Sequence, residues 1–420
     1  MFPSMNAAID NSIGGARAKA RCDELGTTPY SDRPDCLFRP FLGPGHRATL
    51  DRIATWMREA GMGVAIDEAG NLIGRYEGAK PEAPALLFGS HVDSVKDGGR
   101  YDGMLGVLLG IETIAAFHRK GKTFPFALEV IGFGDEEGSR FPTYMMGSRA
   151  AAGCLQEIDD AVADEEGIML CDALADWGLN AAHFARAKRP NVLAYVEAHI
   201  EQAPHLERAG LPLGLVRGIA SQYRYRVVFQ GQAAHAGTAM HERRDALAAS
   251  AEAIEAIERI GQRDPIDLVT TVGWLSVGAG APNIVPGRVE FSVDIRAVEL
   301  DVREQAAEHI VAALREIGAR RGIELEITRT QELTGALCDT RLNTLLDSAI
   351  RATTKETPPL LVSQAGHDAM IMAHLAPMTM LFIRCAGGIS HNPAESVESV
   401  DVEAAHRALV EFVERFGEAA

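Results

Sequence analysis

The segment Ala85-Leu86-Leu87-Phe88-Gly89-Ser90-His91-Val92-Asp93-Ser94-Val95-Lys96-Asp97-Gly98-Gly99-Arg100-Tyr101-Asp102-Gly103 joins an apolar run to a glycine-rich loop that carries a histidine and several carboxylates. The run Ala85 to Phe88 is too short for a helix and reads as a buried strand. Strand ends in α/β proteins open into a crevice where ligands bind, so His91, Asp93 and Asp102 are delivered to a place suited to chemistry. Downstream, Leu105 to Lys120 has helical periodicity, and Phe126 to Phe133 reads as a second buried strand that runs into Gly134-Asp135-Glu136-Glu137-Gly138. Strand, polar cluster, helix, strand, polar cluster is the pattern of an α/β crossover, with acidic groups at the same end of two strands. A third strand, Val192 to Ile200, leads into a third cluster in which Glu197, His199 and Glu201 alternate.

The flanks extend this α/β texture. Residues 1 to 45 are rich in glycine, proline and small residues and are expected to form an irregular arm. His46 to Ala60 places Leu50, Ile53, Ala54 and Met57 at helical spacing before Gly61 stops the helix. Strands are expected over Gly63 to Asp67 and Asn71 to Tyr76, and Glu157 to Lys188 reads as polar and helical. From Leu213 to Thr330 the texture changes: strand Tyr223–Phe229, helix Arg243–Ile260, strands Leu268–Leu275 and Val289–Arg296, helix Val302–Arg321, strand Ile323–Thr328. That order, βαββαβ, is ferredoxin-like. Residues 213 to 330 are therefore read as a domain inserted into an α/β domain formed by residues 1 to 212 and 331 to 420. The last segment adds a strand at Met378–Ile383, a histidine at 391 and a closing amphipathic helix, Val402–Phe416.

Composition removes several classes of function. A chain of 420 residues with 47% hydrophobic and 24% charged residues is long enough for two domains and an ordinary core. Its 58 acidic against 41 basic residues give a net charge of −17, which repels phosphate backbones and anionic lipid and argues against nucleic-acid and membrane partners. Six cysteines stand far apart with no Cys-x-x-Cys pair, which fits a reducing cytoplasm better than a disulfide framework or zinc ribbon. Residues 1 to 30 mix charges throughout, unlike a signal peptide, and no apolar run approaches the roughly eighteen residues that span a bilayer. Gly-x-Gly-x-x-Gly is absent and no Gly-Lys-Ser/Thr follows Gly98-Gly99 at phosphate-loop spacing, so these glycines are not read as a phosphate loop.

The groups just beyond the strands are His91, Asp102, Glu136, Glu137, His199 and His391. Taken singly, each has an ordinary structural explanation; together they supply the nitrogen and oxygen donors of a zinc-, manganese- or cobalt-type hydrolytic centre. A pair of close metal ions needs a bridging carboxylate, and the glycine-rich loop lets Asp102 swing back to serve. Asp93, two residues after His91, shares its side of an extended chain and is placed to accept the imidazole N–H. Adjacent Glu136 and Glu137 at a buried strand end repel unless a cation or shared proton compensates. If one ligates a metal, its neighbour is free to take a proton from water.

Several of these segments resemble the amidase/hydantoinase-carbamoylase branch of the aminoacylase/carboxypeptidase metallohydrolase superfamily. They are Gly89-Ser-His-Val-Asp-Ser94 with Gly98-Gly-Arg-Tyr-Asp-Gly103, Asp135-Glu-Glu-Gly-Ser-Arg-Phe141, Glu197-Ala-His-Ile-Glu-Gln202, His235-Ala-Gly-Thr238, Asn283-Ile-Val-Pro-Gly287, Gly366-His-Asp-Ala369 and Gly388-Ile-Ser-His-Asn-Pro-Ala-Glu395. The resemblance runs in order from about Leu37 to the C-terminus. It implies a metallopeptidase-like α/β catalytic domain with an inserted ferredoxin-like dimerisation domain, and two divalent ions per subunit, zinc, manganese, cobalt or nickel. One ion would be held by His91, Asp102 and His199, the other by Asp102, Glu137 and His391, with Glu136 as general base. His199 stands where peptidase relatives usually have a carboxylate. The resemblance further implies that Arg296 and Asn283 bind a substrate carboxylate, that Gln202 contacts the substrate near the scissile group, and that His235 stabilises the oxyanion from the partner subunit of a homodimer. The chain departs from the family pattern at Ala203 and Gln364, where glycines are expected. The expected substrate is a small ureido acid, an N-carbamoyl-L-amino acid or an allantoate-type compound; an N-substituted amino acid cleaved by an aminoacylase or peptidase is the alternative.

Overall fold

The described residues of a computed structural model, 14–155, 161–264 and 267–419, begin with a helix, α1 (Gly15–Leu25), inside the segment expected to be irregular. Its buried apolar face is small: Ala16, Ala18, Cys22 and Leu25. Polar contacts hold the rest. Arg17 and Arg21 both reach one oxygen of the fully buried Glu112 carboxylate at 2.7 Å, and the Gly14 N–H donates to the other at 3.1 Å. A helix defined by ion pairs to a residue far along the chain leaves little apolar periodicity to read. Residues 1–13 of the expected arm, and 156–160 at the start of the expected polar helical segment, lie outside the described residues.

The chain continues through α2 (Pro44–Glu59), β1 (Gly63–Ile66), β2 (Leu72–Tyr76), β3 (Ala85–His91), α3 (Met104–Arg119), β4 (Ala127–Phe133), α4 (Met146–Ala152), α5 (Leu170–Asp176), β5 (Val192–Ile200), α6 (His205–Ala209) and β6 (Leu213–Ile219). Next come β7 (Ser221–Gln230), β8 (Ala234–His235), α7 (Ala246–Gly261), β9 (Val269–Thr271), β10 (Leu275–Val277), β11 (Ile284–Val285), β12 (Arg288–Ala297), α8 (Leu300–Arg321), β13 (Glu324–Leu333) and β14 (Ala336–Leu337). The chain closes with α9 (Thr340–Thr354), β15 (Leu360–Ser363), α10 (Asp368–Met372), β16 (Met378–Ile383) and α11 (Ser399–Ala419). It divides into two units. One holds the chain through Arg217, Cys338–Leu361 and His367 onward; the other holds Gly218–Leu337 and Val362–Gly366.

The first unit is built on a mixed sheet in the order β1-β2-β4-β3-β5-β16-β6. Its four central strands, β4, β3, β5 and β16, are parallel, while β1, β2 and β6 run antiparallel to their neighbours. Every residue of β3 and β4 is buried, which is why these strands read as continuous apolar runs rather than alternating ones. Leu86, Phe88, Leu128, Val130, Val196 and Ala198 share one core with Leu105, Leu108 and Ile111 of α3 and with Leu409, Phe412 and Phe416 of α11. Burying each of the large side chains contributes about 1.5–3 kcal/mol. The parallel pairing puts the carboxyl ends of β3, β4 and β5 side by side: β3 and β4 stay in one register from Ala85↔Ala127 to His91↔Phe133, and after a one-residue shift at Ala85/Leu86 β3 runs in step with β5 through Phe88↔Val196. Leu170, Ala173 and Leu174 of α5 pack with Phe41, Phe141 and Met146 in a separate small core, which covers what remains of the expected polar segment.

The second unit has an antiparallel sheet in the order β10-β12-β7-β13, with β9 also paired to β12. Taking β9 and β10 as one interrupted strand, this is the ferredoxin-like order expected from the βαββαβ sequence. Helices α7 and α8 supply Ala249, Ala253, Ile257, Ile310, Leu314 and Ile317 to a core with Val227, Phe229, Phe291, Val293 and Ile295. No helix among the described residues is long and apolar enough to cross a membrane.

Candidate metal centre

Three strand ends of the first unit supply the chemistry. His91 closes β3, His199 lies one residue before the end of β5, and Asp135, Glu136 and Glu137 follow β4. His91 and His199 are 3% and 1% exposed, with their rings 5.8 Å apart. Each imidazole is pinned through Nδ1, to the Asp93 carbonyl at 3.1 Å and to the Ile200 carbonyl at 2.9 Å. A ring nitrogen facing a carbonyl oxygen must carry the proton, which leaves both Nε2 atoms as lone pairs in the neutral imidazoles. Those lone pairs point at one atom. Asp102 Oδ1 lies 3.4 Å from His91 Nε2 and 3.1 Å from His199 Nε2, and it is buried without a hydrogen-bond partner.

Asp102 is returned to this position by the loop after β3. Gly103 ends the loop at φ +63°, and a Cβ there would fall 2.4 Å from the His91 ring, so both the turn and the close approach require glycine. The other carboxylate oxygen, Oδ2, faces a second set of groups: His391 Nε2 at 3.3 Å, Gln202 Nε2 at 2.9 Å and Ser390 Oγ at 2.5 Å. His391 Nε2 is also 3.4 Å from Glu137 Oε1. The described residues thus form two donor triplets that share Asp102, one with His91 and His199, the other with Glu137 and His391; the ligating atoms of each lie within 4.8 Å of one another. His91, Glu136 and Glu137 make a further triplet, as do Glu197, His199 and His367.

The donor set fits a cation. With both imidazoles neutral, two ring nitrogen lone pairs and a carboxylate oxygen face one another, an arrangement that is repulsive until a positive charge occupies it. Burial pushes the Glu136 carboxyl well above the ordinary range, and the neighbouring Glu137 charge adds to the shift. Burial likewise pushes Glu137 up to about 7. A bound cation would supply the compensation this carboxylate group lacks.

Asp93 has a different role from the one its spacing suggests. Its carboxylate is 3.9 Å from His91 Nδ1, whose proton goes instead to the Asp93 backbone carbonyl. The carboxylate oxygens accept the backbone N–H groups of Glu136 and Glu137, each at 3.2 Å. The turn carrying the two glutamates, which begins at Asp135 with φ +65°, is therefore held by a carboxylate from the adjacent strand end. The two acids and the histidine that alternate at the end of β5, Glu197, His199 and Glu201, also part company. Glu197 is fully buried and accepts from Ser90 Oγ at 2.8 Å, Tyr195 Oη at 3.0 Å and Ala369 N–H at 2.8 Å. Glu201 accepts the N–H groups of His205 and Leu206 at the start of α6. Only His199 joins Asp102.

Gln202 sits at φ +56°, and while its Nε2 donates to Asp102 and Ser390, its Oε1 is buried with no hydrogen-bond partner. His235, Asn283 and Arg296 belong to the second unit. There β8 pairs with β11, so that His235 lies opposite Ile284 and the Ala236 N–H donates to the Asn283 carbonyl at 2.9 Å; both side chains are exposed. Arg296, on β12, is engaged: Nε donates to Asp294 Oδ1 at 2.8 Å, Nη2 to Asp294 Oδ2 at 3.3 Å, and Nη1 to the Gln364 carbonyl. Ser390 and Glu395, which the sequence shows only as parts of a motif, emerge as neighbours of Asp102.

The sequence pattern of peptidase family M20/M25/M40 matches residues 87–415. Allantoate deiminase 1 of Glycine max is 38% identical over 429 aligned residues, which cover 94% of this chain and 88% of that protein. The N-carbamoyl-L-amino acid amidohydrolase of Geobacillus stearothermophilus is 41% identical over 387 residues, 91% of this chain and 94% of that one. In structure, the chain resembles an amidase of the hydantoinase/carbamoylase family from Burkholderia multivorans with a TM-score of 0.87 and 31% identity, over 96% of this chain and 98% of that one.

Proposed function

This chain belongs to peptidase family M20/M25/M40 and, within it, to the hydantoinase/carbamoylase amidases; from that premise we propose that it hydrolyses the ureido C–N bond of an N-carbamoyl-L-amino acid or an allantoate-type acid, using two divalent ions. It is a metal-dependent amidohydrolase by family. The observation that carries the finer reading is the division of the Asp102 carboxylate between two donor sets, Oδ1 toward His91 and His199 and Oδ2 toward His391. We assign the first ion to His91, Asp102 and His199, and the second to Asp102, Glu137 and His391. Zinc, manganese, cobalt and nickel all suit this mix of imidazole and carboxylate. When bound, such ions act as Lewis acids that polarise a carbonyl and lower the pKa of water.

Glu136 follows β4 beside the ligand Glu137 and is the general base of this reading. Burial raises its proton affinity, which suits a group that takes a proton from the attacking water and returns it to the leaving nitrogen. The water oxygen adds to the ureido carbonyl, the C–N bond breaks, and the carbamate product decays to carbon dioxide and ammonia. Gln202 Oε1, buried and lacking a donor, is the acceptor we assign to a ureido N–H. To the second unit we assign the substrate carboxylate, on Arg296 and Asn283, and the developing oxyanion, on His235 of a homodimer partner; these three roles rest on the family motifs. The guanidinium is planar by resonance, and the Asp294 pairing fixes the direction in which Arg296 presents it.

A substrate panel tests the proposal. Allantoate, a set of N-carbamoyl-L-amino acids, N-acetyl-L-amino acids and dipeptides are incubated with the manganese-loaded enzyme, and ammonia and free amino acid are measured. Ammonia from the ureido acids is expected. Cleavage confined to the acetyl and peptide substrates, without ammonia, overturns it.

A further inference from the structure

Glu395 lies four residues beyond His391, at the end of the Gly388–Glu395 motif, and is 4% exposed. Its Oε1 accepts the backbone N–H of Tyr101 at 2.8 Å and that of Asp102 at 3.1 Å. Its Oε2 is 3.1 Å from Ser390 Oγ, and Ser390 Oγ is in turn 2.5 Å from Asp102 Oδ2. One carboxylate therefore grips the Asp102 backbone directly and lies beside the hydroxyl whose single proton goes to the nearer oxygen, Asp102 Oδ2. Gly99 belongs to the same arrangement: a Cβ there would stand 2.0 Å from the Glu395 carboxyl carbon and 2.2 Å from both of its oxygens. The absence of a side chain at Gly99 is what lets the acid enter the glycine-rich loop.

The two segments joined in this way each carry one of the proposed ligands of the second ion, Asp102 on one and His391 on the other. Neither segment is a strand or a helix at that point, and nothing in the local backbone pattern of either fixes its distance from the other. The His391 side chain is 49% exposed, and the residue sits at φ +53°. By contrast, His91 and His199 are carried on strands of the central sheet and pinned through Nδ1.

We propose that Glu395 is a positioning residue that clasps the Asp102 loop to the His391 loop and thereby builds the second metal position. The proposal rests on the binuclear reading above. Glu395 does not touch the ion; it acts by setting where Asp102 Oδ2 stands relative to His391. Groups that orient ligands in this way typically change metal affinity by roughly 10- to 100-fold when removed.

Equilibrium dialysis of the apoprotein against Mn2+, followed by elemental analysis, reads the two positions directly. Wild type is expected to take up two ions per chain. Glu395→Ala is expected to keep the first with unchanged affinity and to bind the second roughly 10- to 100-fold more weakly. Gly99→Ala, which drives a methyl group into the same carboxylate, is expected to behave alike. Glu395→Gln retains a carbonyl oxygen for the two backbone N–H groups and an amide for Ser390, so it is expected to restore the second ion. Ser390→Ala, a small change in a partly exposed loop, guards against misfolding of the larger variants and is expected to weaken the second ion alone. If wild type binds fewer than two ions, the binuclear reading fails. If wild type binds two and Glu395→Ala and Ser390→Ala bind both as tightly, the clasp is wrong; equal losses in Glu395→Ala and Glu395→Gln also refute it, since they would make charge rather than hydrogen bonding the cause.

Discussion

Replacing Asp93 with alanine separates the role the structure shows for it from the role its spacing suggests. The carboxylate accepts the Glu136 and Glu137 N–H groups at 3.2 Å each, and the side chain is almost wholly buried. Its removal strands two partly buried donors, each costing about 1–2 kcal/mol, for a total of about 2–4 kcal/mol. At about 2–3 °C per kcal/mol, the melting temperature should fall by about 4–12 °C. The turn that carries the base also loosens, and a displacement of about 1 Å at a reacting group costs on the order of 100-fold in rate. Asp93→Asn keeps one acceptor oxygen and should recover about half of the stability. The assay pairs thermal melts with kcat and manganese content of each variant. If Asp93 instead orients the His91 imidazole, the loss will appear as weaker binding of the first ion with kcat per bound ion unchanged. That outcome, or an Asp93→Ala protein that melts within 1 °C of wild type, would refute the turn-capping account.

Glu136→Gln should retain both ions by elemental analysis yet lose about 10²- to 10⁴-fold in kcat, the usual worth of a positioned general base; a variant with full turnover excludes Glu136 from proton transfer. Chelator should strip the ions in sequence. The one assigned to Glu137 and His391 should leave first, because His391 is half exposed while His91 and His199 are buried; simultaneous loss, or an His391→Ala protein that still binds two ions, contradicts the assignment. Stability should also carry a pH signature from Asp67, which accepts from the Ala69 and Asn71 N–H groups and the Asn71 side chain below the β4 end. Burial pushes this carboxyl up to about 6, so the folded state holds the proton more tightly than the unfolded chain. Stability then falls as pH rises from about 4 to 6, by roughly 3 kcal/mol at most, and Asp67→Asn should flatten that part of a urea-denaturation series. A wild-type curve that rises through the same window would reverse the sign of the argument.

The residues alone determined that β3, β4 and β5 are buried strands, that they deliver His91, Glu136, Glu137 and His199 at neighbouring ends, and that the second unit has βαββαβ order. These features are local: four to nine consecutive residues state their own periodicity, and parallel pairing then fixes which ends lie together. The motifs also carried the family, since they occur in the same order along most of the chain. Tertiary structure decided what periodicity does not encode. Helix α1 depends on Arg17 and Arg21 meeting Glu112, about a hundred positions away in the sequence. Asp93 could be placed on the His91 side from spacing, but whether its carboxylate met the imidazole or the next strand's turn depended on how β3 and β4 align. The resemblance gives Arg296 a substrate carboxylate, and only the folded chain shows that it also holds Asp294 and the Gln364 carbonyl. The grip of Glu395 on Asp102 spans 293 positions and has no signature in the chain except a glycine at 99 that leaves room for it. Strand ends announce which groups can react, because periodicity is a short-range property; their mutual orientation rests on hydrogen bonds between distant loops, and only the folded chain brings those partners together.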